Sequence, residues 1–401
     1  MRILYLTREP SPSFRPDIAT LFGRSLPTHG IYTDLVALQG DGTAQWPAGQ
    51  AFLRPAEGKL GRLAARLRLA LDLFTLSSRQ TYDAIQVRDR IVGAAIGLLA
   101  ARWRGLPFFY WMSFPFPEAW QDMGSGRASN SGSPLQRLAW RVRGGAAAWL
   151  LYRVVLPRAA HVFVQSEAMR QMLAGHGLPA EMMTPVPMGV DLPKFPEAIA
   201  PTDDPRLAGR RVIVYLGALE RIRHPEVMLE AMARVIVTAP DALLVLVGDS
   251  QTPGERQWLE GEISRLNLGA HAFITGWLPP AQAWGYVRAA TMGLSPIPRT
   301  RVFEVGSPTK VCEYLGHATP VIANDQPDQA YLLRETGGGL CVPLTAEGFA
   351  QGILELLADP ERARRMAAAG HATIGRLRSY DVIGTQLAAR YRTLLAPGSD
   401  Q

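Results

Sequence analysis

Apolar residues in this chain gather in short unbroken runs rather than alternating with polar ones. The runs in the first half are Ile3–Leu6, Thr33–Ala37, Ala84–Val87, Pro107–Trp111, His161–Val164 and Thr184–Val186. Those in the second half are Val212–Leu216, Leu243–Val247, Ala272–Thr275, Met292–Pro296, Pro320–Ala323 and Gly339–Val342. Runs of this length without alternation predict strands buried on both faces, hence parallel sheets flanked by helices. The segments between them read as helices, for example Val227–Thr238 and Phe349–Leu357. Strand–helix alternation repeated in each half predicts two doubly wound α/β domains. The polar, Pro-rich stretch from Pro193 to Pro205 has linker composition. The expected division is residues 1–195 for the first domain and 206–379 for the second. Gly124–Ser133 reads as a loop within the first.

Composition narrows the class. With 47% hydrophobic and 19% charged residues over 401 positions, the chain has the make-up of a globular protein. Cys312 and Cys341 are too few for a disulfide framework or a Cys-rich zinc site. No apolar run reaches the roughly 18 residues that span a bilayer. Arg2 followed at once by a strand does not have the form of a signal peptide, so a cytoplasmic location is expected. The seven histidines are scattered, which predicts no metal site. The net charge of +7 comes from arginine, since only Lys59, Lys194 and Lys310 among the 42 basic residues are lysines. From Met123 to Ser166 there are arginines at 127, 137, 141, 143, 153 and 158 and no acid. Leu135, Leu138, Val142, Trp140 and Trp149 are interspersed there. Such a stretch suits either a core helix or an element that rests on an anionic membrane surface. Basic charge without interleaved aromatics or a recognised module does not predict nucleic-acid binding.

Two segments are candidates for chemistry. In Gly306-Ser307-Pro308-Thr309-Lys310-Val311-Cys312-Glu313, Ser307 is a suitable N-cap and Pro308 a suitable first helical residue. Free amides and the positive helix end would make an anion site there, with Lys310 adding charge and Glu313 on the same face. A cation and an anion together at a helix start suit a sugar nucleotide. The alternative is an ordinary capped helix with an i,i+3 ion pair. The second segment, Tyr215-Leu216-Gly217-Ala218-Leu219-Glu220-Arg221-Ile222-Arg223, ends a strand at glycine and supplies two arginines. Ligands of open α/β sheets bind beyond the carboxyl ends of the strands. Gly248 and Gly276, the latter followed by Trp277 and Leu278, mark two more strand ends on that edge.

Together these segments resemble the retaining nucleotide-sugar glycosyltransferases of family 4, and the resemblance runs nearly the whole chain. It includes Val164–Met169, Pro187–Asp191 and the closing segment from Tyr380 to Leu395. The resemblance implies a GT-B fold, two Rossmann-like domains facing across a cleft, with residues 380–401 crossing back to the first. It implies a nucleotide-diphosphate sugar as donor, no metal or other cofactor, and a saccharide or lipid-linked acceptor in envelope polysaccharide or glycolipid synthesis. Attachment to the inner face of the cytoplasmic membrane goes with such an acceptor.

Residue by residue, Arg223 falls where the family has a lysine, and Ala218 where it has an arginine for which Arg221 is near enough to compensate. Lys310 and Arg223 would stabilise the departing diphosphate, and Glu313 would meet the ribose hydroxyls. The partner of Glu313 in the family's paired-glutamate motif is replaced by Val305, with Glu304 one residue out of register. Gly306, Ser307, Pro308, Thr309 and Lys310 would then face the sugar and phosphates, and Gly217, Gly248, Trp277 and Leu278 the rest of the donor. On the acceptor side, Arg88, Asp89 and Ser113 stand where the family often has histidines. No G-x-G-x-x-G turn follows either first strand, which counts heavily against a dinucleotide oxidoreductase. A non-catalytic or divergent GT-B protein, such as a sugar-nucleotide binder, phosphorylase or epimerase, stays open.

Overall fold

A computed structural model describes residues 1–13, 15–42, 45–126, 133–192 and 199–396. The chain divides into two compact units, Met1–Gly189 with Tyr380–Gln401, and Val190–Ser379. Residues 193–198, where the sequence pattern puts a linker, and 127–132 of the Gly/Ser-rich loop lie outside the described residues.

The first unit opens with β1 (Arg2–Leu6), a wide π-type helix over Asp17–Ser25 and the short α1 (Leu26–Thr28). Then come β2 (Tyr32–Leu38), β3 (Ala51–Arg54), α2 (Gly58–Arg79), β4 (Ala84–Arg88) and α3 (Ile91–Arg104). They are followed by β5 (Phe108–Met112), α4 (Phe116–Ser125), α5 (Pro134–Trp149), β6 (His161–Val164), α6 (Glu167–Gly175) and β7 (Met183–Pro185). All neighbours pair in parallel in the order β3-β2-β1-β4-β5-β6-β7.

The second unit runs β8 (Arg211–Leu216), α7 (Glu226–Thr238), β9 (Ala242–Val247), α8 (Glu255–Arg265) and β10 (Ala272–Gly276). It continues through α9 (Pro280–Ala289), β11 (Met292–Ser295), α10 (Thr309–Gly316), β12 (Val321–Asn324), α11 (Pro327–Thr336) and β13 (Gly339–Val342). Two helices, α12 (Ala346–Ala358) and α13 (Pro360–Arg378), close it. Its parallel sheet has the order β10-β9-β8-β11-β12-β13. In each sheet the chain starts in the middle and reverses direction beside its first strand. That reversal opens a crevice at the carboxyl ends of the two strands that flank it.

Every apolar run became a strand to within one residue at each end. The unforeseen strand is β3, an edge strand whose four residues are all only half-buried, so no apolar run marks it.

The last helix, α14 (Tyr380–Leu394), belongs to the first unit. Tyr380, Ile383, Leu387, Ala388 and Tyr391 are buried in one cluster with Ile3, Tyr5, Phe109, Trp111 and Phe163. The Tyr391 ring lies 5.0 Å from that of Phe163, and its hydroxyl donates to Gln86 at 2.5 Å. Ser25 Oγ donates to the Tyr380 carbonyl at 2.8 Å. Gly384 passes so close to Ser25 that a Cβ there would overlap the serine hydroxyl. Gly384→Val should therefore break the Ser25 bond and lift α14, lowering stability by about 1–3 kcal/mol in chemical denaturation.

Candidate functional site

In the second unit, β8 delivers Gly217 at its carboxyl end and β9 delivers Gly248 beside it. Both have positive φ, +140° and +143°. A Cβ on Gly248 would overlap the Gly217 carbonyl oxygen, so only glycine lets these two loops touch. Above Gly217 lies the side chain of Lys310. Its Cε and Nζ are 3.1 and 3.3 Å from where a Cβ on Gly217 would sit, and Nζ is 5.0 Å from the Tyr215 ring centroid. Arg223 approaches from the short helical turn Arg221–Arg223, held by Glu220 at 3.0 Å and lying 5.6 Å from the Phe303 ring.

Burial lowers the Lys310 ammonium to about 7, and the neighbouring Arg223 charge adds to the effect. Glu313 and Glu220 offset only part of it. Burial pushes the Glu313 carboxyl above its ordinary value, against the pull of Lys310. Among the described residues these two side chains form no ion pair within 4.0 Å. The ordinary i,i+3 helix pair is not what the structure shows.

The start of α10 differs from the sequence reading in one respect. Ser307 is not the cap: its hydroxyl donates to Asp328 at 2.6 Å, and Asp328 also accepts from Arg378 at 2.6 Å. Pro308 takes the cap position instead, with no side chain bonded to the first-turn amides. Tertiary pairing with a carboxylate 21 residues away outweighs local capping here. Gln326, fully buried, donates to the carbonyls of Phe303, Glu304 and Gly306 while its oxygen accepts from the amides of Asp328 and Gln329. It therefore fixes the loop that carries Gly306 to the helix. Sequence reading missed Gln326 and Asp328, because nothing at their own positions signals a loop 20 residues upstream.

The remaining residues predicted for the donor lie on the same unit in varied settings. Arg221 stacks over Trp258 at 4.2 Å. Glu304 pairs with Arg299, which also reaches Asp325. Trp277 is exposed, and Leu278 packs at the rim of a hydrophobic cluster. Pro308 and Thr309 begin the helix.

In the first unit the turn after β4 brings Arg88, Asp89 and Ser113 together. Arg88 has no exposed surface and donates to Asp17 at 2.6 Å, while Arg15 grips the same carboxylate with two bonds of 3.1 Å. Burial alone would raise Asp17, but Arg88 and Arg15 overcome it and hold the carboxyl well below the usual range. Asp89 sits at φ +53° and accepts from both the amide and the hydroxyl of Ser113. Burial raises its carboxyl above the ordinary value.

Two family models match this chain. One described as "Glycosyl transferases group 1" covers residues 210–359, and one described as "Glycosyl transferase 4-like domain" covers 19–189. The D-inositol 3-phosphate glycosyltransferase of Segniliparus rotundus is 29% identical over 219 residues, 53% of this chain and 47% of its own. The lipopolysaccharide core biosynthesis glycosyltransferase LpsE of Rhizobium meliloti is 26% identical over 165 residues, 41% and 44% of the two chains. The chain thus spans about half the length of the curated relatives it matches. Among solved structures, Anabaena Alr3699/HepE in complex with UDP-glucose aligns with 98% of this chain and 100% of its own, at TM-score 0.68 and 18% identity. Sucrose-phosphate synthase from Thermosynechococcus elongatus aligns with 99% and 100%, at TM-score 0.75 and 18% identity. At such identities the likeness is one of fold.

The depressed Lys310 ammonium has a consequence for stability. Between about pH 7 and the ordinary lysine value, the unfolded chain binds a proton that the folded chain does not, so stability rises with pH across that window. Lys310→Met should remove this rise and melt higher than the parent at pH 6–7, with the difference shrinking toward pH 10. Thermal melts at several pH values check it.

Proposed function

Because the chain belongs to the group 1 glycosyltransferases, we propose that it moves a sugar from a nucleotide-diphosphate sugar to a hydroxyl acceptor with retention of configuration. The observation that carries this is the Lys310 ammonium, set over a glycine strand end beside Arg223 and the uncapped first turn of α10. Three sources of positive potential converge there, and a diphosphate is the ligand they suit. Lys310, Arg223 and the α10 amides then take the place a divalent cation would fill. Glu313 orients the ribose hydroxyls. Gly217 and Gly248 let the backbone come close to the phosphates, and Arg221, Trp277 and Leu278 flank the nucleotide. Gly306 to Thr309 and Glu304 face the transferred sugar. The structural neighbour bound to UDP-glucose supports a donor of this class.

In the reaction the bond from the anomeric carbon to the diphosphate oxygen breaks as the bond to the acceptor oxygen forms on the same face. The acceptor proton passes to the departing diphosphate oxygen. Asp89 and Ser113 meet the acceptor in this reading, and Arg88 positions Asp89 through their ion pair at 3.6 Å. Protonated Lys310 stabilises the leaving group, and a bound diphosphate draws its proton affinity back up.

The acceptor is a saccharide or a lipid-linked hydroxyl, reached from the cytoplasmic face of a membrane. Exposed apolar side chains support this setting. On α5, Leu135, Leu138, Val142 and Trp149 are exposed among Arg137, Arg141 and Arg143. On α2, Leu60, Leu63, Leu67 and Leu71 line one exposed face, and Leu60 is 83% exposed. Apolar stripes beside arginine suit an anionic lipid surface. Among the described residues, no helix is long and apolar enough to cross a membrane.

A panel of nucleotide sugars, screened by thermal shift and then by turnover, tests the reading. Lys310→Ala should keep the fold and lose roughly a hundredfold in turnover, the worth of one charge-assisted contact to a developing phosphate charge. Near wild-type turnover would rule out this site. Flotation with anionic vesicles should show salt-sensitive binding that is lost when Arg137, Arg141 and Arg143 become Glu together; no binding would point to a soluble acceptor.

A further inference from the structure

The strand edge of the first unit holds a guanidinium that, among the described residues, has no ion pair within 4.0 Å. Arg90 follows β4 and caps α3, is 9% exposed, and has both terminal nitrogens buried without a hydrogen-bond partner. Its stem runs along the first turn of α3: Cβ and Cδ lie 3.1 and 3.8 Å from where a Cβ on Gly93 would sit. No side chain bonds the amides of that turn. The charges that reach Arg90 make matters worse. Arg66 from α2 and Arg8 from the loop after β1 repel it, and Glu9 alone attracts. Glu9 is already shared by Arg88 at 3.5 Å and Arg15 at 3.9 Å. Asp89, the next residue along the chain, is taken up by Ser113.

The contrast with Arg88 is the informative part. Two residues apart, both arginines are buried. Arg88 lacks partners at Nε and Nη1 but pairs with Asp17 through its other terminal nitrogen, whereas among the described residues neither terminal nitrogen of Arg90 has a hydrogen-bond partner. A cation withdrawn from water with no partner is one of the most destabilising arrangements in a fold, and such groups are ordinarily paired. Arg8, by contrast, is exposed. One face of its guanidinium stacks on Phe116 at 3.9 Å, which leaves its N–H edge for another ligand.

We propose that Arg90, with Arg8 and Arg66 at its rim and the first-turn amides of α3, forms an anion subsite that binds a phosphate group carried by the acceptor. The word acceptor rests on the transferase reading above, whereas the anion site does not. A planar guanidinium binds phosphate oxygens through paired N–H bonds, and the helix end adds the same sign of potential. The phosphate is either that of a soluble phosphorylated sugar or polyol, or that of a lipid head group.

The test uses the full chain with Lys310→Met and Arg223→Met together as parent, so that the donor site keeps neither of its cationic side chains. Thermal melts are compared in chloride and in inorganic phosphate at matched ionic strength. Phosphate should raise the parent's melting temperature. Adding Arg90→Met should abolish the shift, weakening apparent phosphate affinity roughly tenfold or more, without lowering the melt in chloride, because an unpaired buried cation has been removed. Arg90→Lys, which keeps the charge but not the fork, should restore part of the shift. No phosphate shift in the parent, a shift that survives Arg90→Met, or a melt lowered in chloride by that change would overturn the subsite.

Two further arms separate the sources. A shift with glycerol 3-phosphate assigns a soluble acceptor. A response to phosphatidic acid vesicles but not phosphatidylcholine vesicles assigns a lipid head group. Either supports the subsite if Arg90→Met removes it, and the absence of both refutes it. Turnover of nucleotide sugars by the wild type and Lys310→Ala is read separately, so the donor reading and the subsite fail independently.

Discussion

Taking positive charge out of water is the constraint on which both strand edges depend. Water solvates a guanidinium or ammonium so well that a protein buries one only by supplying carboxylates, dipoles or a ligand in exchange. The first unit does most of this for Arg88, whose charge faces Asp17, Glu9 and Asp89, although its Nε and Nη1 lack a hydrogen bond. The Asp17 pairing and the further grip of Arg15 tie the π-type helix to β4. Tyr5, packed against that cluster, has its phenol pushed up by burial, partly offset by Arg88. The second unit does it only in part for Lys310, whose nearest carboxylates offset some of the burial while Arg223 opposes them. Where compensation is complete the cation is structural. Where it is incomplete, the charge left over is positive.

Parallel sheets make this arrangement available in both units. All strands of a sheet end at the same edge, so the loops that follow them converge while the helices keep the core dry. Within the second unit, the contact of Gly217 with Gly248 brings two loops closer than any side chain would allow, and Lys310 uses the space. The loop before α10 is held from behind rather than by its own residues, through Gln326, Asp328 and Arg378. The amides at the helix start thus keep their direction without a capping side chain that would compete for them.

How much of this the sequence revealed follows from the range of the interactions involved. Strands buried on both faces are written as apolar runs, and those were read almost residue by residue. β3 was invisible because an edge strand needs no such run. The start of α10 was legible from Pro308 to within one residue, but the role of Ser307 was not, since Asp328 is remote in sequence. Arg88 and Arg90 read alike in the string Arg-Asp-Arg, and what distinguishes them is Asp17, 71 positions upstream of Arg88. The leucines along one face of α2 have the spacing of a core stripe, yet they are exposed while Ala65, Leu69 and Leu73 fill the core. Periodicity identifies an amphipathic face without saying what covers it.

The position of α14 bears on how the molecule is made. The first unit is interrupted: it begins the chain, stops at Gly189, and is completed only by residues after Tyr380. In topological terms the second unit is an insertion between β7 and the helix that seals the sheet of the first. During synthesis the inserted unit has all its strands before α14 exists, whereas Phe109, Trp111 and Phe163 wait with one face of their sheet uncovered. At ordinary elongation rates that wait lasts on the order of ten seconds or more. The unit that is translated first is therefore the last to finish folding, and its aromatic face stays uncovered until then.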